Sequence, residues 1–201
     1  PEAVEAGLDV LRAGGNVVDA AIAAALVQTA VDPQMCGIAG FGSMQIYLPA
    51  RGVHTFIDFH GRAPLATRPD MWLDRILGEC DDGFGFLLRD QVNEVGYQSM
   101  TTPLSLKAFD EALQRHGTRR LADLIGPAIG YCENGFAVRP RVHEFWMQPA
   151  ICGRIERLRV LTDHEATRKI YLKPNGQPYR VGEVLRNPAM GRTYRRVAER
   201  G

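Results

Sequence analysis

The stretch EAGLDVLRAGGNVVDAAIAAA, residues 5–25, decides the fold of this 201-residue chain. It predicts two helices in close succession. The first covers Glu2 to Arg12, because its apolar residues recur every three or four positions and Gly14-Gly15 is placed to end it. In the second, Asn16 is a typical N-cap, and Asp19 lies near the positive end of the helix. The alanines that follow predict close packing of other elements against this second helix.

A glycine-rich loop and a β-hairpin are predicted next. Asp32-Pro33 ends the second helix, since proline lacks an amide donor and the residue before it avoids helical angles. Cys36–Gly42 carries three glycines in the order G-x-x-G-x-G and precedes a strand, which differs from the dinucleotide-binding loop. Ser43–Leu48 and Val53–Phe59 are rich in β-branched and aromatic residues, and they predict the two strands of a hairpin.

The remainder of the chain has a mainly helical pattern. The apolar spacing predicts helices over five stretches: Met71–Leu77, Pro103–His116, Leu121–Glu133, Val142–Leu158 and Pro188–Glu199. One clear hairpin among many helices indicates an α+β fold. No repeat or low-complexity linker is present in the sequence, so a domain boundary cannot be placed from it.

The composition argues against several classes of protein. With 45% apolar residues the chain can bury a core, yet no apolar stretch reaches the roughly 18 residues of a membrane-spanning helix. Basic residues prevail after Val138 but are interleaved with acidic ones, which favours a solvated face or subunit interface over nucleic-acid binding.

The cysteines and histidines lack metal-ligand spacing, so we expect buried free thiols and neither a metal nor an organic cofactor. Since the chain begins at Pro1 without a methionine or signal sequence, we expect that the natural start is missing, and no compartment is indicated.

The opening stretch closely resembles the start of γ-glutamyltranspeptidases, where the usual pattern is E-A-G-x-x-V-L-x-x-G-G-N-A-V-D-A-A-x-A. Gly37–Gly40 is similar to the S-G-I-G-G loop of that family, and Asp58–Pro64 is similar to its D-F-R-E-x-A-P segment. The family patterns A-L-x-x-Y-G-T, L-L-x-P-A-I, E-x-G-F and G-x-x-L-x-x-P-x-x-x-x-T also have counterparts in the same order: Leu113–Thr118, Leu121–Ile129, Glu133–Phe136 and Val181–Val197. The resemblance therefore covers nearly the whole chain.

This resemblance implies an N-terminal-nucleophile hydrolase fold, a four-layer αββα sandwich built from two subunits after a precursor cleaves itself before a Thr. Residues 1–201 would be a partial, helix-rich large-subunit domain without the small subunit. The new terminal Thr would be the nucleophile, its own amine would be the base, and an acyl-enzyme would pass the γ-glutamyl group to water or an amine. The implied enzyme is a γ-glutamyltransferase or glutathione hydrolase, and this chain alone contains no catalytic residue. Its implied partners are the small subunit and a small γ-glutamyl or acyl amide.

Two residues of this chain are candidate substrate contacts, His60 and Arg62. In typical members of the family, the Arg of D-F-R-E binds the α-carboxylate of the γ-glutamyl group. His60 occupies that position here, and Arg62 follows two positions later. Either Arg62 supplies the cation, because residues two apart on a strand share a face, or His60 contacts a different acyl group. Alternatively, His60 only caps a strand and Arg62 pairs with a surface carboxylate such as Asp58.

The missing arginine leaves the activity open between three interpretations. The first is the γ-glutamyl enzyme, the second is a related acylase or small-amide hydrolase, and the third is a noncatalytic scaffold homologue, because function depends on the site and not on the fold. Phe41 lies among the glycines of the loop, where it either narrows the approach to a pocket or packs in the core; a Phe beside glycines favours the core.

Overall fold

The computed structural model describes residues 1–200, and the chain divides into two compact units. The first unit combines Pro1–Gly61, Pro103–Val138 and the segment that begins at Gly182. The second unit consists of Arg62–Thr102 and Arg139–Val181. No feature of the sequence predicts this division, because none of the crossings from one unit to the other is marked by a linker-like segment.

The chain is α+β, as predicted. In chain order its helices are α1 (Glu2–Arg12), α2 (Val17–Val31), α3 (Ser105–His116), α4 (Leu121–Leu124), α5 (Gly126–Asn134), α6 (Pro140–Trp146), α7 (Arg157–Thr162), α8 (Glu165–Tyr171) and α9 (Pro188–Arg200). The strands are β1 (Gly42–Leu48), β2 (Val53–Phe59), β3 (Ile76–Glu79), β4 (Phe86–Leu88), β5 (Phe136–Ala137) and β6 (Val184–Leu185). Each forms a two-stranded antiparallel sheet with its neighbour: β1 with β2, β3 with β4, and β5 with β6. Helices α6 to α8 and the β3–β4 sheet lie in the second unit.

Helix α2 lies at the centre of the first unit. Its side chains Ile22, Leu26 and Val27 are fully buried, at 0% exposure, and α1, α3, α4 and α5 lie against it. Full burial of each of these aliphatic side chains stabilises the fold by about 1.5–3 kcal/mol. Gly7 lets α1 approach closely, since a Cβ there would lie 3.0 Å from the carbonyl oxygen of Ala20. The predicted close packing against the Ala-rich helix is confirmed.

The carboxylate of Asp19 joins the start of α2 to the turn between α3 and α4. It is fully buried and accepts hydrogen bonds from the amides of Asn16 at 2.8 Å, Thr118 at 2.8 Å and Arg119 at 3.1 Å, and from the Thr118 hydroxyl at 2.6 Å. The Asn16 side chain accepts in return from the amides of Val18 and Asp19, which confirms the predicted N-cap as a capping box. Burial by itself raises the pKa of Asp19, but these donors outweigh it and hold the pKa below its usual value of 3.8.

The predicted helices Pro103–His116 and Pro188–Glu199 are confirmed as α3 and α9, whereas the other three predictions differ from the structure in more than their end residues. The predicted helix Met71–Leu77 is wrong, because a short 3-10 turn at Leu73–Arg75 leads directly into β3. The predicted helix Val142–Leu158 is interrupted between α6 and α7, where Pro149 forces the residue before it out of the helical region. The prediction for Leu121–Glu133 is confirmed in type, but the chain bends between α4 and α5.

We expect Asp19→Asn to lower the free energy of unfolding by about 1–3 kcal/mol, because an amide nitrogen then faces buried donors that have lost their acceptor. Urea unfolding of the full-length gene product measures this change. Asp9→Asn is the matched control, since Asp9 is exposed on α1 and makes only a surface ion pair with Arg12. Equal losses in the two variants would contradict the role of Asp19.

The Asp19 contribution also has a defined pH dependence. Because the folded pKa of Asp19 is lowered, its stabilisation is present above pH 3.8 and is lost as the pH falls through the folded pKa. The difference in stability between wild type and Asp19→Asn should therefore shrink on acidification below pH 3.8. A difference that stays constant there would mean that the charge of Asp19 is not what stabilises the fold.

Candidate functional site

The β1–β2 hairpin carries one of the two candidate residues just beyond its open end. Its strands pair in register from Gly42 opposite Phe59 to Leu48 opposite Val53. Because side chains alternate along a strand, Phe59 turns inward, where its ring lies 6.2 Å from that of Phe109 on α3. The opposite face of the hairpin is turned outward and exposes two large aromatic side chains, Tyr47 at 65% and Phe56 at 60%.

His60 directly follows β2 and is exposed. Its backbone amide donates a hydrogen bond to Oδ1 of Asp58 at 2.9 Å, which fixes the turn at the end of the strand. Its ring lies against Phe41, with the ring centroids 4.8 Å apart and the planes tilted by 42°. The prediction that Phe41 packs in the core is wrong, because Phe41 is 53% exposed. It lies two residues before Ser43 and so has the same parity as the outward-facing residues of β1.

The glycine loop before β1 fixes the backbone next to Phe41. The carbonyl oxygen of Gly40 accepts hydrogen bonds from the amides of Leu104 at 3.1 Å and Ser105 at 3.2 Å, which attaches the loop to the start of α3. The amide of Gly40 donates to the carbonyl oxygen of Gly37 at 3.1 Å. A Cβ at Gly40 would lie 3.0 Å from that oxygen and 3.3 Å from Oγ of Ser105, so a larger residue would disturb both contacts.

Arg62 is the first residue of the second unit. It forms an isolated antiparallel bridge with Thr102, whose amide donates to the Arg62 carbonyl oxygen at 2.9 Å. The Arg62 side chain is exposed, and within the described part of that unit its guanidinium has no ion-pair partner. A guanidinium in this state can bind an anion such as a carboxylate. The assignment of His60 and Arg62 to substrate binding stays a prediction.

Residues 1–200 show no sign of a metal site, a disulfide or a membrane-spanning helix. No group of three or more His, Cys, Asp or Glu side chains that could hold a metal ion is present there. All four cysteines are free thiols, as predicted, but only Cys80 and Cys132 are buried. Burial, followed by the nearby Glu133, raises the pKa of Cys132 to about 12. None of the helices in this part of the chain is long and apolar enough to cross a membrane.

Comparison with known proteins agrees with these motifs and with the fold. The structure of γ-glutamyltranspeptidase from Helicobacter pylori superposes with a TM-score of 0.84 at 27% identity, covering 99% of this chain and 52% of that one. The fold is therefore that of the N-terminal-nucleophile hydrolases. The family model described as gamma-glutamyltranspeptidase matches residues 3–201. The chain belongs to the γ-glutamyltranspeptidase family, as the sequence motifs predict.

Two curated relatives of this chain are named for different activities. The glutathione hydrolase proenzyme of Bacillus subtilis (strain 168) is 33% identical over 201 residues, which is 100% of this chain and 31% of the relative. The acylase ACY 1 proenzyme of Pseudomonas sp. (strain V22) is 42% identical over 142 residues, which is 70% of this chain and 24% of the relative. The chain thus spans 31% or less of the length of these two relatives.

The turn at Asp58 should matter for substrate binding if it positions His60. We expect Asp58→Ala to raise the KM of the full-length gene product for a γ-glutamyl or acyl amide that it turns over about fivefold, since the lost hydrogen bond contributes about 1 kcal/mol. Asp58→Asn keeps an acceptor oxygen and should stay close to wild type, which makes it the matched control. Steady-state kinetics measure both, and an unchanged KM in Asp58→Ala would contradict a positioning role.

Proposed function

We propose that this chain is the large-subunit part of an enzyme that hydrolyses or transfers γ-glutamyl or related acyl groups from amides such as glutathione. The observation that carries the proposal is the family match over residues 3–201, together with relatives named glutathione hydrolase proenzymes. In this proposal residues 1–201 are a partial large-subunit domain, and no metal or organic cofactor takes part in the reaction.

The proposed reaction proceeds through an acyl-enzyme. The nucleophile is the N-terminal Thr of a small subunit cut from the same precursor, and its free amine accepts the hydroxyl proton. The hydroxyl oxygen attacks the amide carbonyl, the amine of the substrate leaves with a proton, and water or another amine then removes the acyl group. The contribution of this chain is to bind and orient the acyl group through His60 and Arg62, because holding the reacting groups in place lowers the barrier.

The proposed small subunit has support in the surface of the hairpin. Tyr47 and Phe56 are both more than half exposed on its outward face. Exposed aromatic residues grouped in this way are typical of surfaces that another polypeptide covers. The word proenzyme in the names of the relatives describes proteins that are processed, which agrees with a two-chain form.

An acylase without γ-glutamyl specificity is the second candidate. Its support is the 42% identity to the Pseudomonas acylase together with His60, which stands where γ-glutamyltranspeptidases have the carboxylate-binding arginine. An imidazole offers one donor or acceptor at each nitrogen, whereas a guanidinium binds a carboxylate with two parallel hydrogen bonds. The substitution removes that recognition unless Arg62 replaces it.

Self-cleavage is the first property to test. We expect the full-length gene product, incubated after purification, to yield two chains, the smaller of which begins with Thr. Intact-mass measurement and N-terminal sequencing identify both. One persistent uncleaved chain would contradict the active enzyme and favour the noncatalytic scaffold.

The roles of His60 and Arg62 can be separated by substitution. If Arg62 binds the α-carboxylate, Arg62→Ala should lower kcat/KM for γ-glutamyl-4-nitroanilide about 10- to 100-fold, because a charged hydrogen bond contributes about 1.5–3 kcal/mol. Arg68→Ala is the matched control, since Arg68 is an exposed arginine of the same unit. If His60 has lost carboxylate binding, His60→Arg should instead raise γ-glutamyl turnover. Unchanged kinetics in both variants would remove these residues from the site.

A further inference from the structure

A cavity of about 420 Å³ lies in the first unit and is lined in part by the glycine loop. None of the described residues that line it is Asp, Glu, Lys, Arg or His. Its walls combine apolar side chains with small neutral polar groups, chiefly Met35, Phe59, Phe109, Thr29, Ser105 and Cys36. Burial, and then the charge of Asp32, raise the pKa of the Cys36 thiol, so this thiol also stays neutral at physiological pH. The cavity therefore has the lining of a site for an uncharged, largely apolar group.

Phe41 connects this cavity to the candidate substrate contact. Phe41 is one of the residues that line the cavity, and its ring lies 4.8 Å from the ring of His60. The backbone on both sides of this pair is fixed, by the Gly40 carbonyl at the start of α3 and by the Asp58 carboxylate. A ligand in contact with His60 would therefore be separated from the uncharged cavity only by Phe41.

We propose that the cavity binds the side chain of an uncharged acyl group and that Phe41 is a specificity-determining residue for the acyl donor. This inference rests on the proposed acyl-transfer function and narrows its substrate to amides of neutral aliphatic or aryl acids. A γ-glutamyl group carries an ammonium and a carboxylate next to each other. Placing both in a lining without charged partners would cost their solvation without replacing it, whereas an alkyl or aryl chain gains from leaving water.

Two donors with the same leaving group test the inference, namely the 4-nitroanilides of hexanoic acid and of γ-linked glutamic acid. We expect the full-length gene product to have the higher kcat/KM for the hexanoyl donor. Phe41→Ala should lower that value about tenfold or more and leave the γ-glutamyl value within about threefold, because only the first loses an apolar contact. Phe84→Ala is the matched control, since Phe84 is 81% exposed and does not line the cavity. A higher kcat/KM for the γ-glutamyl donor, or equal losses for both donors, would overturn the inference.

Alkylation of Cys36 gives a readout that does not depend on turnover. Cys36 lines the cavity, whereas Cys152, the other partly exposed cysteine, lies outside it and serves as the internal reference. Hexanamide should slow the reaction of Cys36 with N-ethylmaleimide, measured by peptide mass, and glutamate should not. A Cys36 that hexanamide does not protect, or that never reacts, would overturn the inference. Protection without turnover of either anilide would support the cavity assignment while contradicting the proposed acyl transfer, so the two failures are distinguishable.

Discussion

The buried carboxylate of Asp19 is the interaction on which the first unit depends. Four donors converge on it, and three of them belong to Thr118 and Arg119, which lie 99 and 100 positions further along the chain. A carboxylate without these donors would not be stable inside a protein, and the buried amides would in turn lose their acceptor. The start of α2 and the turn between α3 and α4 therefore have to form together.

The same contacts extend to the candidate site through α3. The carbonyl oxygen of His116, the last residue of α3, accepts hydrogen bonds from the Asn16 side chain at 2.7 Å and from Arg51 in the hairpin turn at 3.1 Å. At its other end, α3 binds the carbonyl oxygen of Gly40. The helix thus holds the closed end of the hairpin at one terminus and the loop before β1 at the other. Phe41 lies between these two anchored points.

The sequence predicted those elements of the fold that are determined by residues close together in the chain. The bounds of α1 and the cap of α2 are confirmed, because the Gly14-Gly15 stop and the Asn16 cap act within a few residues. The β1–β2 hairpin is confirmed for the same reason. The β3–β4 sheet was missed, because its strands are short and β3 lies in a stretch whose apolar spacing also suits a helix. The β5–β6 pair joins positions almost fifty residues apart, and no local signal reports such a pairing.

The sequence predicted one member of the candidate site, His60, and missed Phe41, although the sequence also contains the information needed to place Phe41. His60 was identified by its place in a family motif, whereas Phe41 was assigned to the core because it stands among glycines. The alternation of side chains along the strand predicts that Phe41 faces outward, since it has the same parity as the exposed Ser43 and Tyr47. Extending the strand register by one pair also places Phe41 opposite His60. The two departures from the family pattern, His60 and Phe41, are therefore in contact with each other. The imidazole that stands in place of the guanidinium lies against the aromatic ring that interrupts the glycine run. An aromatic pair offers apolar contact and single hydrogen bonds in place of a fixed charge, so in the proposed site this difference in chemistry, and not the shared fold, would determine which acyl group binds.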